Sequence, residues 1–436
     1  MRTMWTAVVL SLAGLLVAGI GLTAQEGKGG KMDAGAESDG RFFREHWAEN
    51  DGQQNNGSSR LLRVNDPDTS LQGNIGRRRE ANCNGLLLID VPEDLFSLTA
   101  AELYLELWGG HPHTAGKSFA VNGRSRYLIP EVGTEAGACT YSYPSIELKV
   151  GDLVTGVNAL QFACRRGPGF WGHFIVDNAC VRAYLDPDHN DLKQAGLDGF
   201  RARVVAPQVL GDTADVSLEC PGEVAEMVRS VDFFARYQGF DDDGNVQEDD
   251  WHGYTQERHA VNHVGSADAP PFTVSWDTRM VPTQGRPIAF RAVVHFRNGL
   301  HYETGSSAGS TFPRGRPRVE LLRCSAMPQP FWSRAGAEKR AVIELPEDLS
   351  RVAAAELRVR VWDGGAGTVA EPFQLNGHPY SVLSGRASHD VVFTKCAVSL
   401  DHLKAGENEV KLLSDTEHHG IEVLLPGPCL LLRYRD

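Results

Sequence analysis

Residues 89–123 (IDVPEDLFSLTAAELYLELWGGHPHTAGKSFAVNG) and 343–377 (IELPEDLSRVAAAELRVRVWDGGAGTVAEPFQLNG) align without a gap at a constant offset of 254, with 15 of 35 positions identical. The match resumes at 153–158 against 403–408 and ends at Cys180 and Cys429. A duplicated unit has to fold the same way twice, so this repeat constrains the chain more than any other feature. Inside each copy the apolar period is two: Leu103, Leu105 and Leu107 alternate with Tyr104 and Glu106, and Leu357, Val359 and Val361 alternate with Arg358 and Arg360. Alternation of that kind faces one side to a core and the other to solvent, the pattern of an antiparallel strand. Asn122-Gly123 and Asn376-Gly377 supply the positive φ angles of tight hairpin turns, and Gly156 and Gly406 each precede a further apolar run. The expected class is all-β, a series of β-sandwiches.

The run from a Trp-ended strand through F-x-x-N-G to G-x-N-x-[LV]-x-[LF] resembles the galactose-binding-like jelly roll over residues 60–186 and again over 318–436. The resemblance implies a fold met as an accessory domain in secreted glycoside hydrolases, whose members bind sugars, calcium or other proteins, or act as spacers. Between the copies, residues 200–311 carry expected strands at 202–207, 214–219, 230–237, 272–276 and 288–296. The segments 232–244 (DFFARYQGFDDDG), 250–252 (DWH) and 271–278 (PFTVSWDT) resemble an immunoglobulin-like domain of modular exported proteins. The expected order is therefore jelly roll, immunoglobulin-like unit, jelly roll. Three units agree with 436 residues at roughly 150 per domain. Polar stretches at 186–194 and 304–310 read as connectors, and 25–59 as a disordered linker ahead of the first unit.

The N-terminus sets an expected address. Arg2, an apolar stretch from Ala7 to Leu22 and Ala24 before Gln25-Glu26 read as a signal peptide over 1–24. The length from Val8 to Ala24 leaves an uncleaved anchor as the alternative. The expectation is a secreted, periplasmic or cell-surface protein with no membrane association once the signal is removed. The eight cysteines lack any CxxC pair, which disfavours structural zinc and reads as disulfides plus one or two buried thiols. A formal net charge of −13 excludes nucleic acid as a natural partner, because phosphate affinity comes from clustered Lys and Arg.

Candidate binding residues lie at strand ends. In the first copy Trp108 is followed by His111 and His113, and a later loop holds Trp171 and His173; in the second, Trp362 is followed by a loop without histidine, and His418 and His419 come later. Aromatic faces suit the apolar faces of sugar rings, and imidazoles hydrogen-bond hydroxyls. The equal repeat positions of Trp108 and Trp362 also fit two core residues. His111 and His113 read as a metal pair only weakly, since Pro112 and the neighbouring glycines make a loop and no third ligand is assignable. Asp241, Asp243 and Asn245 sit in a carboxylate-rich loop of the kind calcium takes, though without the EF-hand pattern. No other cofactor is implied, and no residue is assignable as catalytic: HExxH and P-loop motifs are absent, and the strings G-x-S-x-G at 305–309 and G-x-G-x-x-G at 167–172 lie in Gly/Ser- and Gly/Pro-rich stretches with no helical pattern after them, so neither reads as a nucleophile elbow or a dinucleotide fingerprint.

These readings converge on an exported, non-catalytic carbohydrate-binding or cell-surface protein whose partner is an extracellular polysaccharide. The alternatives are a polysaccharide lyase or glycoside hydrolase, and a structural or adhesive extracellular protein. The sequence leaves the oligomeric state open.

Overall fold

The computed structural model describes residues 40–48, 62–65, 85–132, 137–167, 172–240, 246–256, 258–385 and 389–435. The expected signal peptide lies outside these residues, as do Cys83, Trp171, Asp241, Asp243 and Asn245. Among the described residues no helix is long and apolar enough to cross a membrane.

The fold is all-β, with extended antiparallel sheets. The alternating runs of the repeat become its longest strands. Leu98–Trp108 buries Leu103, Leu105 and Leu107, and Val352–Gly364 buries Leu357, Val359 and Val361. In the first copy Leu98–Trp108 lies between Phe174–Leu185 and the short strands Tyr141–Ser142 and Ser145–Leu148. In the second, Val352–Gly364 lies between Asp390–Val398 and the pair Gly420–Val423 and Cys429–Tyr434. Facing the first of these is a four-stranded sheet of Leu86–Val91, Gly156–Arg166, Thr114–Val121 and Arg126–Leu128, and one apolar core fills the space between. The second copy builds the matching layer from Lys339–Leu345, Gly406–Leu412 and Phe373–Leu375, over its own core.

The two turn motifs of the repeat are parts of one hydrogen-bonded device. Asn122, at φ 50°, donates from Nδ2 to Asn158 Oδ1 at 2.8 Å and accepts from Ala159 N at 2.9 Å. Asn158 is fully buried; it also accepts from Val154 N at 2.8 Å and donates to Val154 O and Gly156 O, both at 2.8 Å. Asn376 and Asn408 repeat the arrangement: Nδ2 of Asn376 reaches Asn408 Oδ1 at 2.7 Å, and Asn408 holds Lys404 N, Lys404 O and Gly406 O. The Asn-Gly hairpin is thus locked to the loop entering the G-x-N strand, which explains why both motifs survive together in both copies.

The intervening segment forms strands at Arg203–Val205, Thr213–Glu219, Val228–Gln238, Thr273–Asp277 and Ala289–Phe296, each within two residues of its expected position. Three of them make a small sheet that packs through Val216, Trp276, Phe290 and their neighbours onto the other two.

Three expectations are corrected. Inside the stretch read as a disordered linker, Arg41–Ala48 is a strand, pairing with Phe174–Leu185 on one edge and His301–Glu303 on the other. Phe42 enters the core with Phe200, Phe296 and Tyr302, while Phe43 stacks on His301 at 5.2 Å on the opposite face. Burial on both faces hides the alternation that would have marked a strand. Through Arg41–Ala48 the sheet of the first copy runs on into that of the intervening segment, eleven strands in all.

The second correction concerns the disulfides. Cys139, Cys180, Cys220, Cys324, Cys396 and Cys429 are thiols, not disulfide partners. Cys180 and Cys429 are fully buried at the same repeat position, where cysteine acts as a small apolar residue. The 304–310 stretch is likewise not a free connector: Thr304 Oγ1 and Ser307 Oγ accept from Ala292 N and Phe290 N at 3.0 Å, capping the adjacent strand.

Candidate functional site

Register builds the site. Residues paired across antiparallel strands project from the same face. In the first copy Trp108 pairs with Ile175, and Ile175 with Arg63. In the second, Trp362 pairs with Glu422, and Glu422 with Trp332. The two rows occupy equivalent places, Arg63–Ile175–Trp108 and Trp332–Glu422–Trp362, and a hydrogen bond from Trp108 Nε1 to Glu422 Oε2 at 3.0 Å links one row to the other.

The junction beneath is fixed by the first copy's 137–143 segment. Cys139, at φ 60°, donates from N to Glu422 Oε1 at 2.9 Å, accepts at O from Leu425 N at 2.7 Å and at Sγ from Phe331 N at 2.9 Å. Arg360 donates to Tyr141 O at 2.7 Å. Tyr141, Val391 and Leu424 form a small apolar core against which Trp108, Tyr143 and Trp362 pack. Burial pushes the Glu422 carboxyl up to about 7, so near neutral pH it is poised between its charged and protonated forms.

Each tryptophan carries two imidazoles. Trp108 meets His111 edge-on at 5.2 Å and His173 at 6.0 Å, and the two histidine rings lie 5.1 Å apart. Trp362 stacks on His389 at 5.2 Å and lies 6.1 Å from His419, with 4.4 Å between those two histidines. His111 N donates to His173 O at 3.2 Å. Gly172, at φ +102°, lets the His111 ring lie against the chain: a Cβ there would overlap His111 Cδ2 and Nε2. His389, at φ 63°, is held by its N–H to Asp363 O at 2.9 Å, and Trp332 Nε1 donates to His419 O at 2.6 Å.

Burial lowers His111 to about 4, with the Arg334 and Arg63 charges adding to it, and lowers His173 to about 3, with Arg63 and His111 adding. Burial also lowers His389 and His419. All four rings are therefore neutral at neutral pH, each offering one donor and one acceptor. His419 is exposed and the other rings are half-buried, so the cluster presents two indole and four imidazole rings at the surface.

Of the residues expected from sequence, the structure brings together His111, His173 and His419. His113 and His418 are exposed beside the cluster, and neither makes a ring contact among the described residues. Trp108 and Trp362, weighed as core residues, are half-buried at the junction. Sequence reading missed His389, Trp332, Glu422, Arg63 and Arg334; Trp332, Glu422 and Arg63 reach the rows by cross-strand pairing, and His389 and Arg334 adjoin paired strands, none of which one sequence displays. Among the described residues no group of three His, Cys, Asp or Glu side chains is placed to hold a metal ion.

A second polar assembly covers the outer face of the eleven-stranded sheet. Arg182 bridges Glu45 at 3.1 Å and Glu102 at 3.2 Å, Glu303 joins Arg41 and Arg291, and Asp232 accepts from His295 at 2.9 Å, whose other nitrogen meets His301 at 2.7 Å. Its charges satisfy one another across neighbouring strands, which makes it a stitching network.

No protein-family model matches the chain, and no curated protein matches it. Among solved structures the chain is similar to a beta-porphyranase of glycoside hydrolase family 86 from the human gut bacterium Bacteroides plebeius, at 14% identity over 54% of this chain and 36% of that one, TM-score 0.22. A beta-glucuronidase from glycoside hydrolase family 2 matches at 10% identity over 70% of this chain and 34% of that one, TM-score 0.20. An exo-beta-1,3-galactanase from Phanerochaete chrysosporium matches at 9% identity over 80% and 78%, TM-score 0.17. The chain spans only about a third of the length of the first two. At TM-scores this low the matches carry no argument about this chain's fold or chemistry.

Proposed function

We propose that this chain is an exported, non-catalytic carbohydrate-binding protein of three β-sandwich units, 60–186, 200–311 and 318–436, and that the Trp–His cluster is its saccharide site. The observation that carries the reading is the doubling of the cluster: each copy of the repeat sets a tryptophan and two neutral imidazoles at the surface, and the junction places the two sets side by side. A sugar ring offers an apolar C–H face and a rim of hydroxyls that both donate and accept. An indole takes the first, and neutral imidazoles match the second without imposing charge. Two such sets suit a chain of sugars better than a single ring. Export rests on the N-terminal segment alone, because the thiols remove the cysteine argument for an oxidising compartment.

Affinity electrophoresis of the full chain through gels containing a panel of polysaccharides tests this. Retardation by at least one polymer, weakened about tenfold or more in a His111→Ala/His419→Ala variant, is expected. Retardation by none, or retardation indifferent to both substitutions, would overturn the assignment.

A further inference from the structure

We propose that the cluster selects an anionic saccharide, one bearing sulfate or carboxylate groups, and that Arg63 and Arg334 receive its charge; this rests on the reading of the cluster as a saccharide site. Arg63 stands on the Trp108 row, one strand beyond Ile175. Arg334 stands at the other row, its guanidinium 4.4 Å from the centroid of Trp332. The two cations therefore belong to different copies of the repeat and flank the rings from both. Neither has a carboxylate partner among the described residues, a state they share with other arginines such as Arg229, Arg297 and Arg323; what sets them apart is their place beside the rings.

The charges that bear on His111 are Arg334 and Arg63, and Arg63 also bears on His173 and His419. The nearby acids are committed elsewhere. Glu422 lies buried under two donors, and Asp363 accepts from Gly365 N, Ser384 N and Ser384 Oγ. A guanidinium presents a planar fork of donors that matches sulfate and carboxylate geometry, and it stacks on an aromatic face while doing so. With imidazoles that are neutral at neutral pH between them, Arg63 and Arg334 set a guanidinium at each row of the site.

The test uses the full chain and titrates a sulfated galactan, the same galactan after desulfation, and polygalacturonate, each at low and high salt. The expected result is that one or both anionic polymers bind at least tenfold more tightly than the neutral one, that salt weakens this binding, and that Arg63→Gln and Arg334→Gln each remove most of the difference. Arg203→Gln, on the small sheet of the intervening segment, should change nothing. Preference for the sulfated polymer alone identifies sulfate as the source of charge, and preference for both identifies anionic charge in general. Equal binding of all three, or an anionic preference untouched by the two substitutions, overturns charge selection while leaving the saccharide site standing. Binding of none overturns both.

Discussion

Replacing Asn158 by alanine probes the device that both copies of the repeat share. Asn158 is fully buried and makes four hydrogen bonds, accepting from Asn122 Nδ2 and Val154 N and donating to Val154 O and Gly156 O, each at 2.8 Å. At a net worth of about 1 kcal/mol per bond, alanine should cost about 3–4 kcal/mol, with Asn122 keeping its bond to Asp152 O. Asn408→Ala removes the equivalent four bonds, at 2.7–3.1 Å, and should cost the same within about 1 kcal/mol. Asn158→Asp is sharper still, because it keeps the acceptor and sets an oxygen where Nδ2 now donates to two carbonyls. Urea unfolding measures the loss, each kcal/mol moving the midpoint by roughly 0.3–1 M. Hydrogen exchange at the Val154 and Lys404 amides shows whether it originates at the loop. A loss below about 1 kcal/mol at either position, or costs that differ between the copies by more than about 2 kcal/mol, would refute the claim that one shared network holds both hairpins.

Other outcomes follow from the same contacts. Trp108→Phe keeps an aromatic ring but removes the indole N–H that donates to buried Glu422, so denaturant melts should show a loss of about 1–3 kcal/mol; an unchanged midpoint would mean the bond does not hold the junction. Buried His252, which donates to Tyr237 O at 2.8 Å, is lowered by burial from 6.5 to about 4. Its folded pKa lies below the unfolded value, so its contribution is present above about 6.5 and is lost as pH falls toward 4, a change of about 3 kcal/mol. In His252→Gln, thermal unfolding across that window should lose this part of its pH dependence, and an unchanged acid limb would contradict the assignment. Gly172→Ala forces a side chain into the His111 ring at a positive φ and should cost about 1 kcal/mol or more, while weakening polysaccharide retention with the β-sheet circular dichroism intact.

What the sequence displayed and what it hid divide along physical lines. Period-two alternation marked Leu98–Trp108 and Val352–Gly364 because each buries one face, and the five strands of the intervening segment were legible for the same reason. Asn122-Gly123 and Asn376-Gly377 were legible because their positive φ angles select those residues. Arg41–Ala48 was not, since Phe42 and Phe43 are both buried on opposite faces and the charged residues around them lower the local hydropathy. Half of the cluster was found from histidines near strand ends. The other half depends on pairings between distant residues: Trp108 reaches Glu422 across 314 positions, and Arg63 enters the Trp108 row by pairing with Ile175 from a three-residue strand. The cysteines misled because buried thiols and disulfides leave the same count in a composition.

The central claim, that the doubled Trp–His cluster holds a saccharide, is tested most directly by calorimetric titration of the full chain with an oligosaccharide of a polymer that retards it. Wild-type protein and the His111→Ala and His419→Ala variants are compared at neutral pH, where the imidazoles are uncharged. The account predicts an affinity that falls in each variant, with His111 in one copy and His419 in the other both contributing. Full affinity in both variants would place the saccharide elsewhere and contradict the account.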